Sequence, residues 1–442
     1  MLRWRVWGGV TAALLALVSP AHAVGAGARG ASRAAPQAVG LVEIYYTSPV
    51  LARAGEQVLM PVQVVCARGG RACGASVTMS TRVGAEGWRS VTVPAGPDLM
   101  FDLSAPAARA VAGSESGSVQ FVIRAQDEAG HQAILPPSAE AAPLSFFVTR
   151  RLPVHQIVTI PFGRTRVGTT VLSLPWGSGP MRAGLSPGRE SAPLGPDSFD
   201  VDRRGRIYLL DPEQGRMAVF ASGRLIRQTA LSLTADAQVA AESNGVANVV
   251  SRAGDALIAR TVDGSGAPGN PGLMAGATVD VVRMVGGRAY GLVLPLDAWV
   301  GLDAGSPPHP GLPLADGGEF LRVSRDGRIR LATATIDQRV VDAIELHAAA
   351  RIGEIPLAEP DGRGGCWIVV HMWREAPTSA DQYEVLHKVG NRVHASFAVA
   401  DRAFTDTPPL SRFRLGGDGA LYQLVSTDAE ILIVRFDLKE ER

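Results

Sequence analysis

The sequence predicts an all-β protein with an N-terminal β-sandwich followed by a six-bladed β-propeller. Short segments of alternating polarity, separated by turn residues, fill residues 40–150, as expected of half-buried strands. From Pro196 onward a hairpin-like unit recurs about every 40 residues, which is close to the length of a four-stranded blade. The 50 glycines and 30 prolines among 442 residues supply the turns that so many short strands require.

Composition narrows the class of protein. Hydrophobic residues make up 46% of the chain and charged residues 19%, which is typical of a globular fold and not of a disordered one. The formal net charge is +1, so we expect no nucleic-acid partner, because such partners usually require a basic face. No segment after the N-terminus has 18 uninterrupted apolar residues, so we expect no membrane insertion.

The first 23 residues are predicted to be a secretory signal peptide. Arg3 and Arg5 give the N-terminal region a positive charge, and residues 10–18 form a short apolar run. Ala21-His22-Ala23 matches a signal-peptidase cleavage site. We therefore expect a bacterial protein that is secreted, periplasmic or extracellular. Residues 24–39 are rich in Gly and Ala and have no apolar period, which predicts a flexible leader.

Three cysteines fit an oxidising compartment. Cys66 and Cys73 flank a predicted turn at residues 68–71, so a disulfide across a hairpin is the favoured interpretation. A metal pair is the alternative, although neither a histidine nor a second cysteine pair lies nearby. Cys366 stands in an apolar strand and is predicted to be a buried thiol.

Residues 40–150 are predicted to form the sandwich. Within them, residues 121–130 (FVIRAQDEAG) resemble the last hairpin of bacterial immunoglobulin-like and fibronectin-like modules, in which a strand ends in a polar D-x-x-G turn before the final strand. The resemblance implies a spacer or adhesion module without catalysis. The predicted strands are Leu41–Tyr46, Gln57–Val65, Ala75–Val83, Trp88–Val93, Val119–Ala125 and Leu144–Val148.

The propeller domain is predicted to cover residues 151–442. Its clearest unit is Asp200–Asp211 (DVDRRGRIYLLD), which recurs as Arg322–Leu331 (RVSRDGRIRL). In each copy two apolar strands flank a glycine-containing turn, because tight hairpins require positive φ. The turn glycines stand at 205, 245, 287, 327, 365 and 419, so their steps are 40, 42, 40, 38 and 54 residues, and six copies imply six blades.

Closure of the propeller ring is predicted to require a strand from the segment that precedes the repeats. The last blade has only three strands before the chain ends, and an unpaired edge would expose a row of backbone N–H and C=O groups. Residues 151–195 contain two candidate strands, His155–Ile160 and Thr169–Leu174. Thr169–Leu174 is the more apolar, so we expect it to supply the missing strand.

The repeat resembles those of the NHL and related six-bladed propeller families. The match is best over Pro196–Phe220, where Asp211–Phe220 (DPEQGRMAVF) is similar to their "D…N-R-I-x-V-F" element. Gly215 stands where that pattern has Asn, and the other five copies lack most of the motif. The resemblance implies a six-bladed ring around a central channel.

Four acidic residues are predicted at or near the channel mouth in four successive blades. Six-bladed lactonases and related hydrolases hold a calcium or zinc ion there, and carboxylate oxygens suit Ca²⁺. The alternative is that these are solvated acids at the rim. The predicted metal ligands are Asp197, Asp236, Asp280 and Glu319.

Two inserts explain the long last step between glycines and are predicted to rise from one face. They are Arg374–Gln382 and Asp401–Pro409. Aromatic residues and arginines border or occupy them, and these residue types anchor interfaces. The alternative is ordinary loop variation with the aromatic side chains packed inward. The predicted ligand-binding residues are Trp373, Tyr383, Arg402 and Phe404.

These features predict a secreted, non-catalytic binding protein that contacts a protein or a glycan through the loop-rich face of its propeller. We expect no catalytic residue and no cofactor. The alternative is an extracellular metal-dependent hydrolase or lactonase with Ca²⁺ or Zn²⁺ in a carboxylate-lined channel. Metal content of the purified protein separates these two hypotheses.

Overall fold

The computed structural model describes residues 42–66, 75–96, 99–152, 154–160, 162, 165–188, 192–242, 244–253, 256–270, 272–275, 278–294, 296–303, 306–325, 328–348, 350–375, 380–389, 392–400, 403–406 and 412–437. Nearly all of their regular structure is β-strand, so the predicted all-β class is confirmed. The predicted signal peptide, the leader and Cys73 lie outside the described residues, and the Cys66–Cys73 disulfide stays a prediction. Among the described helices, none has the length and apolarity needed to cross a membrane.

In the described residues, the N-terminal module contains nine strands, one short α-helix and a 3-10 turn at Ala139–Ala141. Each of its six predicted strand segments overlaps one observed strand, and the other three strands and the α-helix were not predicted. The elements are β1 Val42–Tyr46, β2 Leu51–Arg53, β3 Leu59–Cys66, β4 Ser76–Val83, β5 Arg89–Pro94, β6 Met100–Asp102, α1 Ser104–Ala110, β7 Ser116–Gln126, β8 Gln132–Leu135 and β9 Leu144–Thr149.

Two sheets of this module share one apolar core. Strands β1, β3 and β6 form the smaller sheet, and β2, β9, β7, β4 and β5 form the larger one in that order, with β8 also paired to β7. Alternate side chains point inward: Val42 and Ile44 are buried while Glu43 between them is exposed. Met60 of the smaller sheet packs in the same core as Phe121 of the larger sheet.

The predicted D-x-x-G turn is present, although the strand after it is not the last. Gly130 adopts a φ of 87° and its N–H donates to the Asp127 carbonyl at 3.1 Å. Strand β8 then returns along Ile123–Gln126. Strand β9 follows and pairs with the first half of β7. Strands β8 and β9 therefore lie along the same edge of β7, where the resemblance implied a single final strand.

Six successive sheets follow the N-terminal module in the described residues, and we number them I to VI. Two strands, β10 Val154–Ile160 and β11 Thr169–Pro175, precede them. Sheet I contains β12 Ser198–Val201, β13 Ile207–Asp211, β14 Arg216–Ala221 and β15 Arg224–Ala230. Sheet II contains β16 Gln238–Ala241, β17 Ala247–Ala253, β18 Ala256–Val262 and β19 Gly272–Ala275. Sheet III contains β20 Thr278–Val285, β21 Arg288–Leu294 and β22 Ala298–Gly301.

The remaining three sheets are more irregular. Sheet IV contains β23 Leu312–Pro313, β24 Glu319–Arg325, β25 Arg328–Ala334 and β26 Val340–Ala348. Sheet V contains β27 Arg351–Ile352, β28 Leu357–Pro360, β29 Gly365–Arg374, β30 Ala380–Val389 and β31 Arg392–Ala400. Sheet VI contains β32 Phe413–Leu415, β33 Leu421–Ser426 and β34 Glu430–Phe436.

The repeat corresponds to the same hairpin in most sheets. In sheet I the turn between β12 and β13 contains Gly205, with a φ of 71°, and in sheet VI the equivalent Gly419 has a φ of 84°. Sheet IV departs from the prediction. There the short strand β23 pairs with β24, so the repeated hairpin of this sheet is formed by its second and third strands.

The predicted closing strand is confirmed. Strand β11 pairs antiparallel with β34, with Thr169 opposite Arg435 and Pro175 opposite Glu430, and it becomes the fourth strand of sheet VI. Strand β10 takes a role that we did not predict. It pairs in parallel with β26 and extends sheet IV.

Apolar layers join the sheets in succession. Separate clusters of buried side chains lie between sheets I and II, II and III, IV and V, V and VI, and VI and I. The N-terminal module packs against sheets III and IV. Its Phe147 joins the cluster of Leu321 in sheet IV, and the Tyr46 hydroxyl donates to the Leu296 carbonyl beside sheet III.

Candidate functional site

Each of the six sheets contributes one polar side chain to a set of buried or half-buried groups that interact through hydrogen bonds or through their charges, and we call it the central polar set. This set contains three arginines, two carboxylates and one amide. Its members, in the order of sheets I to VI, are Asp200, Gln238, Arg283, Arg322, Glu359 and Arg414.

Arg414 is the most deeply buried of these groups, with 1% of its surface exposed. Its Nε donates to the Phe199 carbonyl at 2.9 Å, Nη1 to the Phe413 carbonyl at 3.0 Å and Nη2 to Oε1 of Gln238 at 3.1 Å. Burial, reinforced by the charge of Arg283, lowers the pKa of Arg414 to about 9. This one guanidinium therefore connects sheet VI to sheets I and II.

Asp200 is held by backbone donors. Its Oδ1 accepts from the Val201 N–H at 2.8 Å and its Oδ2 from the Ala241 N–H at 2.7 Å. Burial raises the pKa of Asp200 to about 6, against the opposing positive charges of Arg414 and Arg283. The carboxyl group thus has a fixed position between sheets I and II.

Arg283 and Glu359 form an ion pair between sheets III and V. Nε of Arg283 donates to Oε1 of Glu359, and both side chains are nearly buried, at 11% and 12% exposed. Arg283 Nη1 also donates to the Val282 carbonyl at 3.0 Å. Arg322 lies close by and donates to the Ile355 carbonyl at 2.9 Å, and its burial lowers its pKa.

A cavity of about 870 Å³, which we call the central cavity, adjoins these groups and is lined by residues of all six sheets. Asp200, Arg283 and Glu359 provide charged lining, and Phe320 of sheet IV belongs to the apolar lining with Leu312, Leu331 and Ile344. The turns around residues 202–203, 286–287, 314–316, 362–365 and 416–417 also line it.

A second cavity of about 70 Å³ adjoins the first, because Arg283 and Glu359 line both. Val50 of the N-terminal module also lines this smaller cavity. The Ser48 N–H of the same segment donates to Oδ2 of Asp297 at 3.3 Å, and Asp297 is another lining residue. The N-terminal module therefore covers the small cavity behind the ion pair.

Cys366 and Lys388 also line the large cavity, where they face each other as register partners on β29 and β30. Cys366 is a free, buried cysteine, as predicted. Its burial raises the pKa of the thiol, so the group is a protonated apolar wall residue at neutral pH.

The four predicted metal ligands differ in their surroundings, although the Asp236 carboxylate lies near enough to Asp197 to raise the pKa of that residue. Asp197 is 4% exposed, and burial raises its pKa to about 8, whereas Asp236 is largely exposed and accepts from Arg252 Nε at 2.5 Å. Burial also raises the pKa of Asp280. The Glu319 carboxylate accepts from the Gly311 N–H at 2.9 Å. Within the described part of the chain, no three His, Cys, Asp or Glu residues form a group that could hold a metal ion.

The predicted ligand-binding residues of the inserts differ in exposure. Tyr383 is fully buried, its hydroxyl accepts from Arg412 Nη1 at 2.8 Å and its ring packs 4.8 Å from Phe413, so it is closed to a ligand. Trp373 is half-buried beneath the guanidinium of Arg351, and Phe404 is 37% exposed. Arg402 lies outside the described residues.

The predicted boundaries of the first insert were too wide. Arg374 ends β29, and the segment from Ala380 to Gln382 belongs to β30, so both ends of this insert lie in strands. In the second insert, Thr405 is 3% exposed and its N–H donates to Ser426 Oγ at 3.0 Å. This part packs against sheet VI and does not rise from it.

The central polar set was missed, although the repeat carried a signal for it. Asp200, Arg322 and Arg414 each stand five residues before a turn glycine, at 205, 327 and 419. In each copy this charged residue stands between two apolar residues of the strand before the turn. Such a position indicates a shared polar environment, because isolated buried charges are costly. Aligning the copies on their glycines would have grouped these three residues.

No family model and no curated protein matches the chain. Solved structures similar to it include a streptogramin B lyase, which is 10% identical with a TM-score of 0.29 over 72% of this chain and 90% of that chain. The WD40 repeats of RRP9 are 10% identical with a TM-score of 0.33 over 57% and 97%. Virginiamycin B lyase from Staphylococcus aureus is 10% identical with a TM-score of 0.20 over 72% and 91%. Likenesses this distant assign no activity to the chain.

Proposed function

We propose that the protein is a secreted, non-catalytic binding protein whose ligand, a glycan or a segment of another protein, occupies the 870 Å³ cavity. The cavity itself is the observation that carries the proposal. Its volume lies within the range of about 300–1,000 Å³ typical of ligand pockets, and it combines apolar walls with a few convergent polar groups. The signal peptide predicted at residues 1–23 supports the extracellular location.

The polar groups of the cavity are held in place before any ligand arrives. Asp200 accepts two backbone hydrogen bonds, and Arg283 is held by both Glu359 and the Val282 carbonyl. Groups that are ordered in the free protein lose little conformational entropy on binding, which favours affinity. This arrangement supports the central cavity, in place of the inserts, as the binding surface.

A cavity-filling variant tests the proposal without assuming the identity of the ligand. Saturation-transfer NMR with a mixture of monosaccharides, amino acids, nucleosides and short peptides is the measurement. Ala241 lines the cavity, so Ala241→Trp should abolish the transfer seen with the native protein. Ala253 is exposed at the end of β17, and the control Ala253→Trp should retain it.

The proposal is wrong if the two tryptophan variants behave alike, or if the native protein transfers to no component of the mixture. Mass spectrometry of the recovered probe distinguishes binding from catalysis, since a bound but unreacted compound keeps its mass. A converted compound, together with stoichiometric calcium or zinc in the protein, would favour the metal-dependent hydrolase.

A further inference from the structure

We infer that the ligand of the central cavity is a neutral sugar, with a hydroxyl group placed on the Arg283–Glu359 pair. This inference rests on the proposed function and names the chemical class of its ligand. It depends on three features of the cavity: a donor beside an acceptor, neighbouring charges of both signs, and an apolar wall.

The ion pair leaves hydrogen-bonding capacity towards the cavity. Glu359 Oε1 accepts a hydrogen bond from Arg283 Nε, and the Val282 carbonyl accepts one from Arg283 Nη1. Among the described residues, none bonds to Arg283 Nη2 or to Glu359 Oε2, and both side chains line the cavity. A hydroxyl group is both donor and acceptor, so it can accept from Nη2 and donate to Oε2 at once. Hydrogen bonds to charged groups are stronger than those between neutral ones.

Charges of both signs surround this pair. Asp200 lies near the guanidinium groups of Arg283 and Arg414, and Asp202 pairs with Arg206 at 2.6 Å. The remaining charged residues of the lining are Glu242, Asp316, Asp361, Arg203 and Lys388. A charged ligand would be repelled by some of these groups as well as attracted by others. A neutral polyol has no net charge and is not repelled.

The rim and one wall of the cavity also suit a sugar. Asp361, another rim carboxylate with a buried side chain, accepts from His387 Nε2 at 3.0 Å in one tautomer, so it already has a hydrogen-bond partner within the protein. On the side of sheet IV the lining is apolar, with Phe320 and Leu331 less than one-tenth exposed. A sugar ring has C–H groups on its faces and hydroxyl groups at its edge, and it can satisfy both surfaces together.

Isothermal titration calorimetry of the full-length protein tests the ligand class. The neutral probes are maltotriose, cellotriose and chitotriose. Trigalacturonate, the glucosamine trimer and triglycine represent an anion, a cation and a zwitterion. We expect at least one neutral trisaccharide to bind with an affinity that changes little between low and high salt, because salt screens interactions between charges.

Two variants locate the binding at the ion pair. Glu359→Gln keeps the shape but removes the charged acceptor, and Arg283→Lys keeps the charge but removes the planar donor. Each should weaken trisaccharide binding about tenfold or more, as expected for one lost hydrogen bond to a charged group. Asp303→Asn changes an exposed carboxylate in the same chain and should bind as the native protein does. Thermal unfolding shows whether each variant is folded, and either folded variant is sufficient for the test.

The outcomes separate this inference from the proposed function. Binding of only a charged or zwitterionic probe, blocked by Ala241→Trp, would overturn the sugar and leave a binding protein. Trisaccharide binding that both ion-pair variants retain would also overturn the inference. Failure of all six probes would overturn the ligand class, while the NMR mixture with the cavity-filling variant decides the proposed function on its own.

Discussion

Arg414 of sheet VI donates its Nε hydrogen to the backbone carbonyl of Phe199 in sheet I, at 2.9 Å. The last sheet of the chain is thereby hydrogen-bonded to the first sheet of the repeat. Because the guanidinium is 1% exposed and also bonds Gln238 of sheet II, it replaces solvent with three protein acceptors. Closure of the sheets therefore depends on a polar contact as well as on the apolar layers.

Arg414→Lys should destabilise the protein strongly. A lysine keeps the charge but cannot reach three acceptors in one plane, so a buried charge would lose partners. Breaking a buried charged network costs about 3–5 kcal/mol, and we expect a loss of this size in urea unfolding. Arg204 is exposed, so Arg204→Lys should change the unfolding free energy little. Equal stabilities of the two variants would contradict the role given to Arg414.

Leu174→Ala tests the closing strand β11. Leu174 is fully buried opposite Ile431 of β34, so truncation leaves a cavity between sheets VI and I. Leu→Ala substitutions in cores cost about 2–5 kcal/mol, and the unfolding midpoint should fall accordingly. Thr170→Ala, at an exposed site on the same strand, is the control. A protein produced from residue 196 onward lacks β11 altogether and should be insoluble or strongly destabilised.

Asp197→Asn should make stability less dependent on pH. Burial raises the folded-state pKa of Asp197 to about 8, and the Asp236 and Asp406 carboxylates add to the effect. The folded protein then retains a proton that the unfolded chain releases above its ordinary pKa of 3.8, so stability declines as pH rises from near 4 to about 8.

Thermal unfolding at pH 4, 6 and 8 measures this difference. The Asp197→Asn variant should match the native protein at pH 4 and exceed it at pH 8, because the amide cannot ionise. Asp303→Asn removes a carboxylate that is 53% exposed and should not stabilise the protein at any of these pH values. A native protein that is as stable as D197N at pH 8 would show that Asp197 ionises freely in the fold.

The Cys66–Cys73 pair should be oxidised in the secreted protein. Mass spectrometry of peptides prepared without reduction should show the two cysteines linked, and two free thiols would refute the pairing. A disulfide across so short a loop contributes about 2–3 kcal/mol through chain entropy. The double variant Cys66→Ser/Cys73→Ser should lose that amount, and a reducing agent should then have no further effect on its stability.

The strands were predictable where local pattern decides them. The alternation in β1 and the turn at Gly205 require only neighbouring residues, since the pleat repeats every two residues and tight turns favour positive φ. The pairing of β11 with β34 spans more than 250 residues. It was nevertheless predicted, because an unpaired edge of the last sheet demanded a partner and few strands were available.

The candidate site was much less predictable. Tyr383 belongs to a residue type that is common at interfaces, but the packing of sheet V against sheet VI buries its ring completely. Glu319 was expected at the channel mouth, but β23 pairs with the strand that it begins, and its carboxylate binds the Gly311 N–H. In both cases the residue type was informative and its surroundings were set by partners distant in sequence.

The sequence by itself determined the β-class, the position of most strands and the period of the repeat, because these follow from local alternation and turn chemistry. Only the tertiary structure decided that Arg283 meets Glu359, 76 residues later, and that Val50 of the N-terminal module covers the cavity behind them. The reason is physical: the environment of a charged side chain depends on which sheets surround it, and that arrangement exists only after the chain has folded.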